Sequence, residues 1–404
     1  MPDFGMRGAG MNVKTRARDL NEYLVALRRE LHAHPELEHD LPFTEGVVVR
    51  ELGKLNLDEV KSGQGRGHGV FATLKGSGPG KTLALRADMD ALPVKEETGL
   101  SFASTNGNMH ACGHDAHVAM LLGTAKLLAE SRGELAGTVR FIFQPSEETV
   151  DGALSMIRSG ALENPKVDAI VGLHTGNIGS GLKPGQIGWR AGPMMASTTT
   201  LRILLEGKGG HGAMPHLTVD PIVMAAEVIG QIQTLVSREI SPFEPAVVTI
   251  GRIQGGTGHN IIAGDCELRG TVRTFDRETN AFLKERVRAT AEGVAASMRG
   301  RAEVEFLWDL DAVVNDRECA LKMRDIATAE LGEDLVAEVA LPTSGSEDFS
   351  CYLAKTPGAF FFHCSTPGGG QSYPHHNSKF DIDESVLWTG TAAMAAYALR
   401  WQDR

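Results

Sequence analysis

The sequence predicts an α/β protein with a smaller α+β domain inserted into it. Short apolar runs alternate with amphipathic helix patterns up to residue 189 and again after residue 308, as expected for a largely parallel sheet covered by helices. From 190 to 308 the order is strand, helix, strand, strand, helix, strand, which is the split, ferredoxin-like βαββαβ pattern. A length of 404 residues also favours more than one domain. We therefore expect a larger domain formed by 1–189 and 309–404 and an inserted domain of 190–308.

The larger domain is predicted to begin with an amphipathic helix, because Leu24, Leu27 and Leu31 recur at helical spacing. Buried strands are predicted at 69–74, 82–86, 138–143 and 169–173, with a helix at 116–129. The glycine-rich stretch 63–80 indicates loops and hairpin turns. No helix pattern follows it, so its spaced glycines are only a weak dinucleotide-binding signal.

The inserted domain is predicted to have strands at 197–205, 246–253, 265–274 and 302–307 and helices at 219–236 and 277–298. A helix at 318–331, a strand at 359–363 and a helix at 386–401 then return to the α/β pattern. This return is the reason for treating the larger domain as discontinuous.

Composition excludes several classes of protein. Hydrophobic residues make up 42% and charged residues 23%, as in ordinary globular proteins. The net charge of -11 argues against nucleic acid or an anionic membrane as partner. The 5 cysteines show no paired spacing that would suggest disulfides or a zinc ribbon. With no signal-type N-terminus and no apolar run long enough to span a bilayer, we expect a soluble, cytoplasmic protein.

Residues of the types that bind metals gather near the ends of the predicted strands. The segment 109–117 places one cysteine, three histidines and an aspartate just before a helix pattern. The polar residues that follow or close the three strands are Asp88, Asp90, Glu147, Glu148 and His174. Each cluster alone is more typical of a turn or a strand-end cap than of a metal site. Because the carboxyl ends of strands in open α/β sheets form the ligand crevice, the clusters together favour a metal site.

The ligand types indicate a zinc-like ion, although manganese, cobalt and nickel accept similar sets. The candidates are Cys112, His114, Glu148, His174 and the pair His375–His376. Such a set exceeds the needs of one tetrahedral ion and suggests two metals that share a bridging ligand. The dipole of the helix that follows is expected to favour Cys112 as a thiolate.

Two adjacent glutamates cannot easily aim at one point from the end of a strand. One of the pair Glu147–Glu148 could bind metal while the other acts as general base and acid. In the inserted domain, His211 lies in a glycine-rich turn, and Asn260 and Arg273 could bind a substrate carboxylate. Taken singly, these three residues are more typical of an ordinary loop histidine, a turn asparagine and a strand-surface arginine.

Together the motifs resemble the aminoacylase and carboxypeptidase type of co-catalytic metallopeptidases. They are most similar to its hippurate hydrolase and auxin-conjugate (IAA-amino acid) amidohydrolase branch. The matching segments span nearly the whole chain and are 27–37, 86–93, 109–117, 145–148, 172–174, 209–216, 346–349 and 375–377. The resemblance implies a zinc-peptidase-like α/β catalytic domain with an inserted lid domain that forms a homodimer.

The resemblance also implies residue roles. Two divalent ions per subunit would share Cys112, with the other ligands being His114, Glu148, His174 and His376. His376 is chosen over His375 because the family's histidine directly precedes an Asn or Ser. Glu147 would be the general base. His211 would cross the dimer interface to stabilise the oxyanion, and Asn260 and Arg273 would hold the substrate's carboxylate.

Two departures from the family pattern matter. The pair Asp88 and Asp90 stands where a His-x-Asp pair is usual, so His114 would replace the missing imidazole and Asp90 would support the site from behind the ligands. The role of Asp88 stays open. The loop 149–153 lacks the glycine-rich continuation that commonly follows the paired glutamates.

The expected activity is hydrolysis of the amide bond of a small-molecule N-acyl amino acid, such as an N-acetyl or N-benzoyl derivative. The alternative enzyme is a dipeptidase or carboxypeptidase that cuts a peptide bond by the same two-metal chemistry. An alternative from another class is a binding protein that keeps the fold without catalysis, which the full ligand set and Glu147 argue against.

Overall fold

The computed structural model describes residues 11–368 and 372–402, which divide into two compact units. The larger unit contains the described parts of Met1–Met194, Asn315–Pro342 and Cys351–Arg404, and the smaller contains Met195–Val314 and Thr343–Ser350. The helices are α1 Val13–Asp19, α2 Asn21–His32, α3 Pro42–Leu52, α4 His114–Glu130, α5 Gly152–Arg158, α6 Pro221–Thr234, α7 Arg277–Ser297, α8 Arg317–Leu331, α9 Ser350–Leu353 and α10 Leu387–Arg400.

The strands are β1 Glu59–Gln64, β2 Gly69–Lys75, β3 Gly78–Asp88, β4 Ala136–Gln144, β5 Ala169–Gly176, β6 Ile187–Trp189, β7 Gly192–Met195, β8 Thr198–Glu206, β9 Gly210–His211, β10 Val247–Gly255, β11 Ile261–Ile262, β12 Asp265–Arg273, β13 Arg301–Leu310, β14 Val313–Asn315, β15 Val336–Glu338 and β16 Gly358–Cys364.

The larger unit is built on an eight-stranded sheet in the order β1-β2-β4-β3-β5-β16-β6-β15. The central strands β4, β3, β5 and β16 pair in parallel. Strands β1 and β2 continue the sheet in antiparallel pairing, and β6 is antiparallel to β16. The α/β prediction is confirmed, but the sheet is mixed. Strand β2, predicted as a buried strand at 69–74, pairs antiparallel to β4, because an apolar run predicts burial and not strand direction.

Helix α4 is the central helix of this unit. It packs against β3, β5, α2 and α10, and nearly all its side chains are buried. Helix α10 is also buried over most of its length, and it packs against α4. Burial on all sides fixes the start of α4 at the edge where the parallel strands end.

The smaller unit has a four-stranded sheet in the order β10-β12-β8-β13, and each neighbouring pair is antiparallel. Helices α6 and α7 pack against it over a separate apolar core. This strand order and the alternation of strands and helices are those of the ferredoxin-like pattern. A short ribbon of β9 and β11 extends from the unit.

Within the described ranges 11–368 and 372–402, no helix combines the length and the apolar character needed to cross a membrane.

Candidate metal centre

The candidate centre lies where three parallel strands of the larger unit end. Strand β3 ends at Asp88, β4 ends at Gln144 just before Glu147, and His174 lies near the end of β5. Strand β3 pairs with both β4 and β5, so the three carboxyl ends are neighbours at one edge of the sheet. The buried helix α4 begins at this edge with His114.

A tight turn before α4 brings Cys112 and His114 to the same space. Gly113, between them, has a φ of 84°, in the left-handed region that glycine adopts without strain. A Cβ atom at Gly113 would also approach Thr175 Cγ2 to 3.1 Å. The turn leaves Cys112 Sγ 3.4 Å from His174 Nε2. In the motif Cys-Gly-His, the glycine therefore permits the backbone turn, and the cysteine and histidine supply the ligand atoms.

Among the described residues, five groups of three side chains could hold an ion, and two of them share Cys112. The first is Cys112, His114 and His174, and the second is Cys112, Glu148 and His376. In each group the ligand atoms lie within 4.8 Å of one another. The arrangement has the form of two neighbouring cation sites with a common thiol.

The hydrogen bonds of the histidine rings leave the correct nitrogen for an ion. His114 donates from Nδ1 to the carbonyl oxygen of Asp90 at 2.8 Å, and His174 donates from Nδ1 to its neighbour Thr175 at 2.9 Å. Nε2 is then the ligand nitrogen of both rings. In the part of the chain that the structure describes, His114 Nε2 is buried with no hydrogen-bond partner, and it lies 4.0 Å from Glu148 Oε1. An unpartnered ring nitrogen that faces a carboxylate oxygen fits a bound cation.

The two adjacent histidines near the C-terminal end play different parts. His375 directs Nε2 to the carbonyl of Thr175 at 3.1 Å. His376 directs Nε2 towards Glu148 Oε1 at 3.3 Å, and its backbone N–H donates to Ala111 at 2.8 Å. The φ of His376 is 64°, a conformation that non-glycine residues adopt mainly where the surroundings require it. The structure therefore brings His376, rather than His375, to the carboxylate.

Asp90 supports the paired glutamates through their backbone. Its buried carboxylate accepts hydrogen bonds from the N–H of Glu147 at 2.9 Å and of Glu148 at 3.1 Å. Burial raises the pKa of Asp90, and the bonds to the charged form oppose this. Asp90 thus holds the backbone of both glutamates in place.

Asp88 and His117 form a buried scaffold. Asp88 accepts from Arg86 at 2.6 Å and from His117 Nδ1 at 2.5 Å. His117 Nε2 accepts from the N–H of Thr175 at 2.8 Å, so both of its ring nitrogens are used. Although Asp88, His114 and His117 lie close enough to hold an ion, His117 has no lone pair left for one.

The carboxylates of the centre act on both Cys112 and His114. Burial, and then the nearby Glu148, Glu147 and Asp88, raise the pKa of the Cys112 thiol well above its usual range, which opposes the thiolate expected from the helix dipole. Burial alone would lower the pKa of His114, but Asp88, Asp90 and Glu148 outweigh it and raise that pKa to about 10. The field at the centre is strongly negative and favours a cation. A coordinated divalent ion would itself deprotonate the thiol.

A buried ionic network to which no motif assigned a role lies between α2 and the first turn of α4. Arg28 Nε donates to Asp115 at 2.9 Å, and His32 contacts Asp115 at 2.7 Å and Glu96 at 3.1 Å. These four side chains connect α2 to the first turn of α4, next to His114. The segment 27–37, which carried part of the family resemblance, contains Arg28 and His32 and was the available signal.

The predicted residues of the smaller unit lie on two parts of it. His211 pairs with Ile261 across the β9–β11 ribbon, and Gly212 N–H donates to the Asn260 carbonyl at 2.8 Å, so His211 and Asn260 are close. His211 Nδ1 accepts from Ala213 N–H at 3.0 Å, which leaves Nε2 as the donor of a neutral ring. Arg273 ends β12, and its Nη1 is buried with no hydrogen-bond partner among the residues described.

The α/β fold and the cluster of metal-binding residue types at the strand ends are typical of a metal-dependent hydrolase. The comparisons with known proteins identify the family. The model of Peptidase family M20/M25/M40 matches residues 84–400. The chain belongs to this family and is a hydrolase, which confirms the resemblance inferred from the motifs.

Two relatives and one solved structure illustrate the similarity. Thermostable carboxypeptidase 1 of Saccharolobus solfataricus is 38% identical over 397 residues, which are 97% of this chain and 98% of the relative. N-acetylcysteine deacetylase of Bacillus subtilis is 41% identical over 382 residues, 93% of this chain and 96% of the relative. The crystal structure of a Bacillus subtilis protein described as a dinuclear metal binding peptidase from the M20 family has a TM-score of 0.82 and 37% identity, covering 95% of this chain and 98% of that chain.

Proposed function

We propose that this chain is a metal-dependent amidohydrolase that cleaves N-acyl amino acids, such as N-acetyl or N-benzoyl derivatives, to a carboxylic acid and a free amino acid. The observation that carries the proposal is the pair of ligand groups that share Cys112, beside the adjacent glutamates Glu147 and Glu148. The similarity to the N-acetylcysteine deacetylase supports the substrate class.

Two divalent ions per subunit would occupy the two groups, with zinc, manganese, cobalt and nickel all chemically suitable. Cys112, His114 and His174 would hold one ion, and Cys112, Glu148 and His376 the other. When bound, such a pair polarises a scissile carbonyl and lowers the pKa of water. The buried His114 Nε2, which has no hydrogen-bond partner among the described residues, supports this assignment.

Glu147 is the proposed general base. It would take a proton from the attacking water and return it to the nitrogen of the leaving amino acid as the C–N bond breaks. Asp90 is the proposed support for this step, since it holds the backbone N–H of Glu147. The burial of Glu147 fits a group that must work away from bulk water.

We extend the proposal to the inserted domain, 190–308, as a lid and dimerisation domain, with 1–189 and 309–404 as the catalytic domain. His211 of a second subunit would donate from Nε2 to the oxyanion, and Asn260 and Arg273 would bind the substrate's carboxylate. The free donor of His211 and the unpartnered Nη1 of Arg273 among the described residues support these roles. The homodimer is proposed from the family resemblance, and a cytoplasmic location from composition.

A second candidate function is that of a dipeptidase or carboxypeptidase. The similarity to a chain named Thermostable carboxypeptidase 1 over 397 residues favours it. The same centre could cut a peptide bond, because an acyl group and an aminoacyl group present the same carbonyl to Glu147.

The test combines one substitution with a substrate panel of N-acetyl amino acids, N-benzoyl amino acids and dipeptides. Glu147→Gln should keep the bound metal and lower kcat by about 10²–10⁴-fold. Glu163→Gln, an exposed glutamate of the same unit, serves as the control and should leave kcat unchanged. Near-normal turnover by Glu147→Gln would contradict the assignment. Cleavage of dipeptides alone would favour the peptidase, and a metal-loaded wild-type protein that is inert on the whole panel would favour a binding protein.

A further inference from the structure

The loop that carries the paired glutamates is unusual in its backbone. Ser146 and Val150, which flank Glu147–Glu148, have φ angles of 62° and 63°. A β-branched residue such as Val150 is rarely found in the left-handed region, and such conformations persist only where the surroundings impose them. Something outside the loop must therefore hold it.

The loop also closes tightly on itself. Gly152 N–H donates to the Ser146 carbonyl at 3.0 Å, and Val150 N–H donates to the Glu147 carbonyl at 2.8 Å. A Cβ atom at Gly152 would lie 2.1 Å from the Pro145 carbonyl oxygen, so only glycine fits there. Glycine therefore occupies position 152, where the loop closes. Position 150, whose left-handed φ would also favour glycine, is a valine.

The residue between Val150 and Gly152 is anchored to a basic side chain from outside the loop. Asp151 forms a hydrogen-bonded ion pair with Arg66, and its carboxylate lies 3.8 Å from Arg158 Nη1. Arg66 comes from a segment far from the loop in sequence, so it acts as an external anchor.

We infer that Asp151 is a positioning residue that holds the strained loop and, through it, Glu147. The inference rests on the proposed role of Glu147. Single exposed ion pairs contribute little to global stability, so the effect is expected on the loop and not on the whole fold. This assigns a purpose to the segment 149–153, where the sequence departs from the glycine-rich pattern.

The first test measures the loop directly, without activity. In the metal-loaded full chain, Asp151→Ala should speed amide hydrogen exchange of the peptide 146–152 at least about tenfold, because the Val150 and Gly152 hydrogen bonds open more often. Asp58→Ala is the matched control, since Asp58 pairs with Arg132 and its side chain is 28% exposed against 31% for Asp151. Equal exchange in the two variants would overturn the inference.

The second test measures catalysis. Asp151→Ala should lower kcat by roughly 10- to 100-fold with KM and metal content within about twofold, because a base displaced by about 1 Å loses rate, not binding. Asp151→Glu, which keeps the charge, should restore part of kcat. Val150→Gly in the Asp151→Ala background should restore at least about fivefold, since glycine adopts a positive φ without strain.

The outcomes separate this inference from the proposed function. No loss of kcat in Asp151→Ala, or no recovery with Val150→Gly, would refute the positioning role even if Glu147→Gln is inactive. Faster exchange in Asp151→Ala combined with an active Glu147→Gln would instead refute Glu147 as base and leave the anchor of the loop intact.

Discussion

Replacing Asp90 by alanine is the sharpest test of how the centre is assembled. Asp90 is 1% exposed, and its carboxylate accepts two backbone hydrogen bonds, from Glu147 at 2.9 Å and from Glu148 at 3.1 Å. Hydrogen bonds to a charged group contribute about 1.5–3 kcal/mol each, so the pair contributes about 3–6 kcal/mol. Because burial raises the pKa of Asp90 and so opposes its charge, we expect the lower end, about 3 kcal/mol.

Asp90→Asn gives the matched comparison. The amide keeps one acceptor oxygen for one of the two N–H groups, so about half of the loss, ~1.5 kcal/mol, is expected. The activity of Asp90→Ala should fall by about 100-fold, because the two glutamates lose the support that sets their position. The assay is urea unfolding in the presence of a chelator, so that metal binding does not mask the change, together with kcat of the metal-loaded proteins.

Small changes in stability and kcat would show that Asp90 does not support the two glutamates. If Asp90→Ala loses less than about 1 kcal/mol in chelator and retains kcat within about threefold, its two hydrogen bonds do not hold the glutamates.

Two further predictions concern the shared thiol and the buried network. Cys112→Ala should leave fewer than half the metal ions per chain found in the wild type, whereas His174→Ala should remove only about one, because Cys112 alone belongs to both groups. Elemental analysis after gel filtration measures the metal content. Equal losses in the two variants would contradict the shared role of Cys112. Burial lowers the pKa of His32, but its hydrogen bonds to Asp115 and Glu96 outweigh that effect and raise its pKa above 6.5. The stability that His32 contributes should therefore be complete below about pH 6.5 and lost as pH rises through its higher folded-state pKa. Urea unfolding of wild type and His32→Gln from about pH 5 to pH 9 should show curves that converge at high pH, and a gap that widens with pH would show the opposite sign.

Much of the fold could be predicted from periodicity. The predicted runs 82–86 and 138–143 lie inside β3 and β4, and the predicted helix 116–129 lies inside α4, because buried elements carry strong apolar signals. Strands β6 and β15 were not predicted. Each has three residues, and so short a segment is too brief for a recognisable pattern.

The sequence by itself determined which residues could meet. Asp88, Glu147 and His174 follow or close strands of one predicted sheet, and parallel strands bring their carboxyl ends to one edge whatever the details. Ligand type added Cys112 and the pair His375–His376, and the family resemblance then chose His376 over His375. Residue type and position along an element were enough for these inferences, because both are local properties of the chain.

The tertiary structure alone decided what each group does at that edge. It showed that His117 has both nitrogens occupied, and that Asp90 acts through two backbone N–H groups. It also showed that burial and the neighbouring carboxylates raise the pKa of the Cys112 thiol, whereas the helix start alone favours the thiolate. Asp151, to which no motif assigned a role, forms an ion pair with Arg66, which lies far from it in the sequence. Hydrogen-bond direction and local field depend on atoms brought together from distant parts of the chain, and no spacing along the sequence contains them.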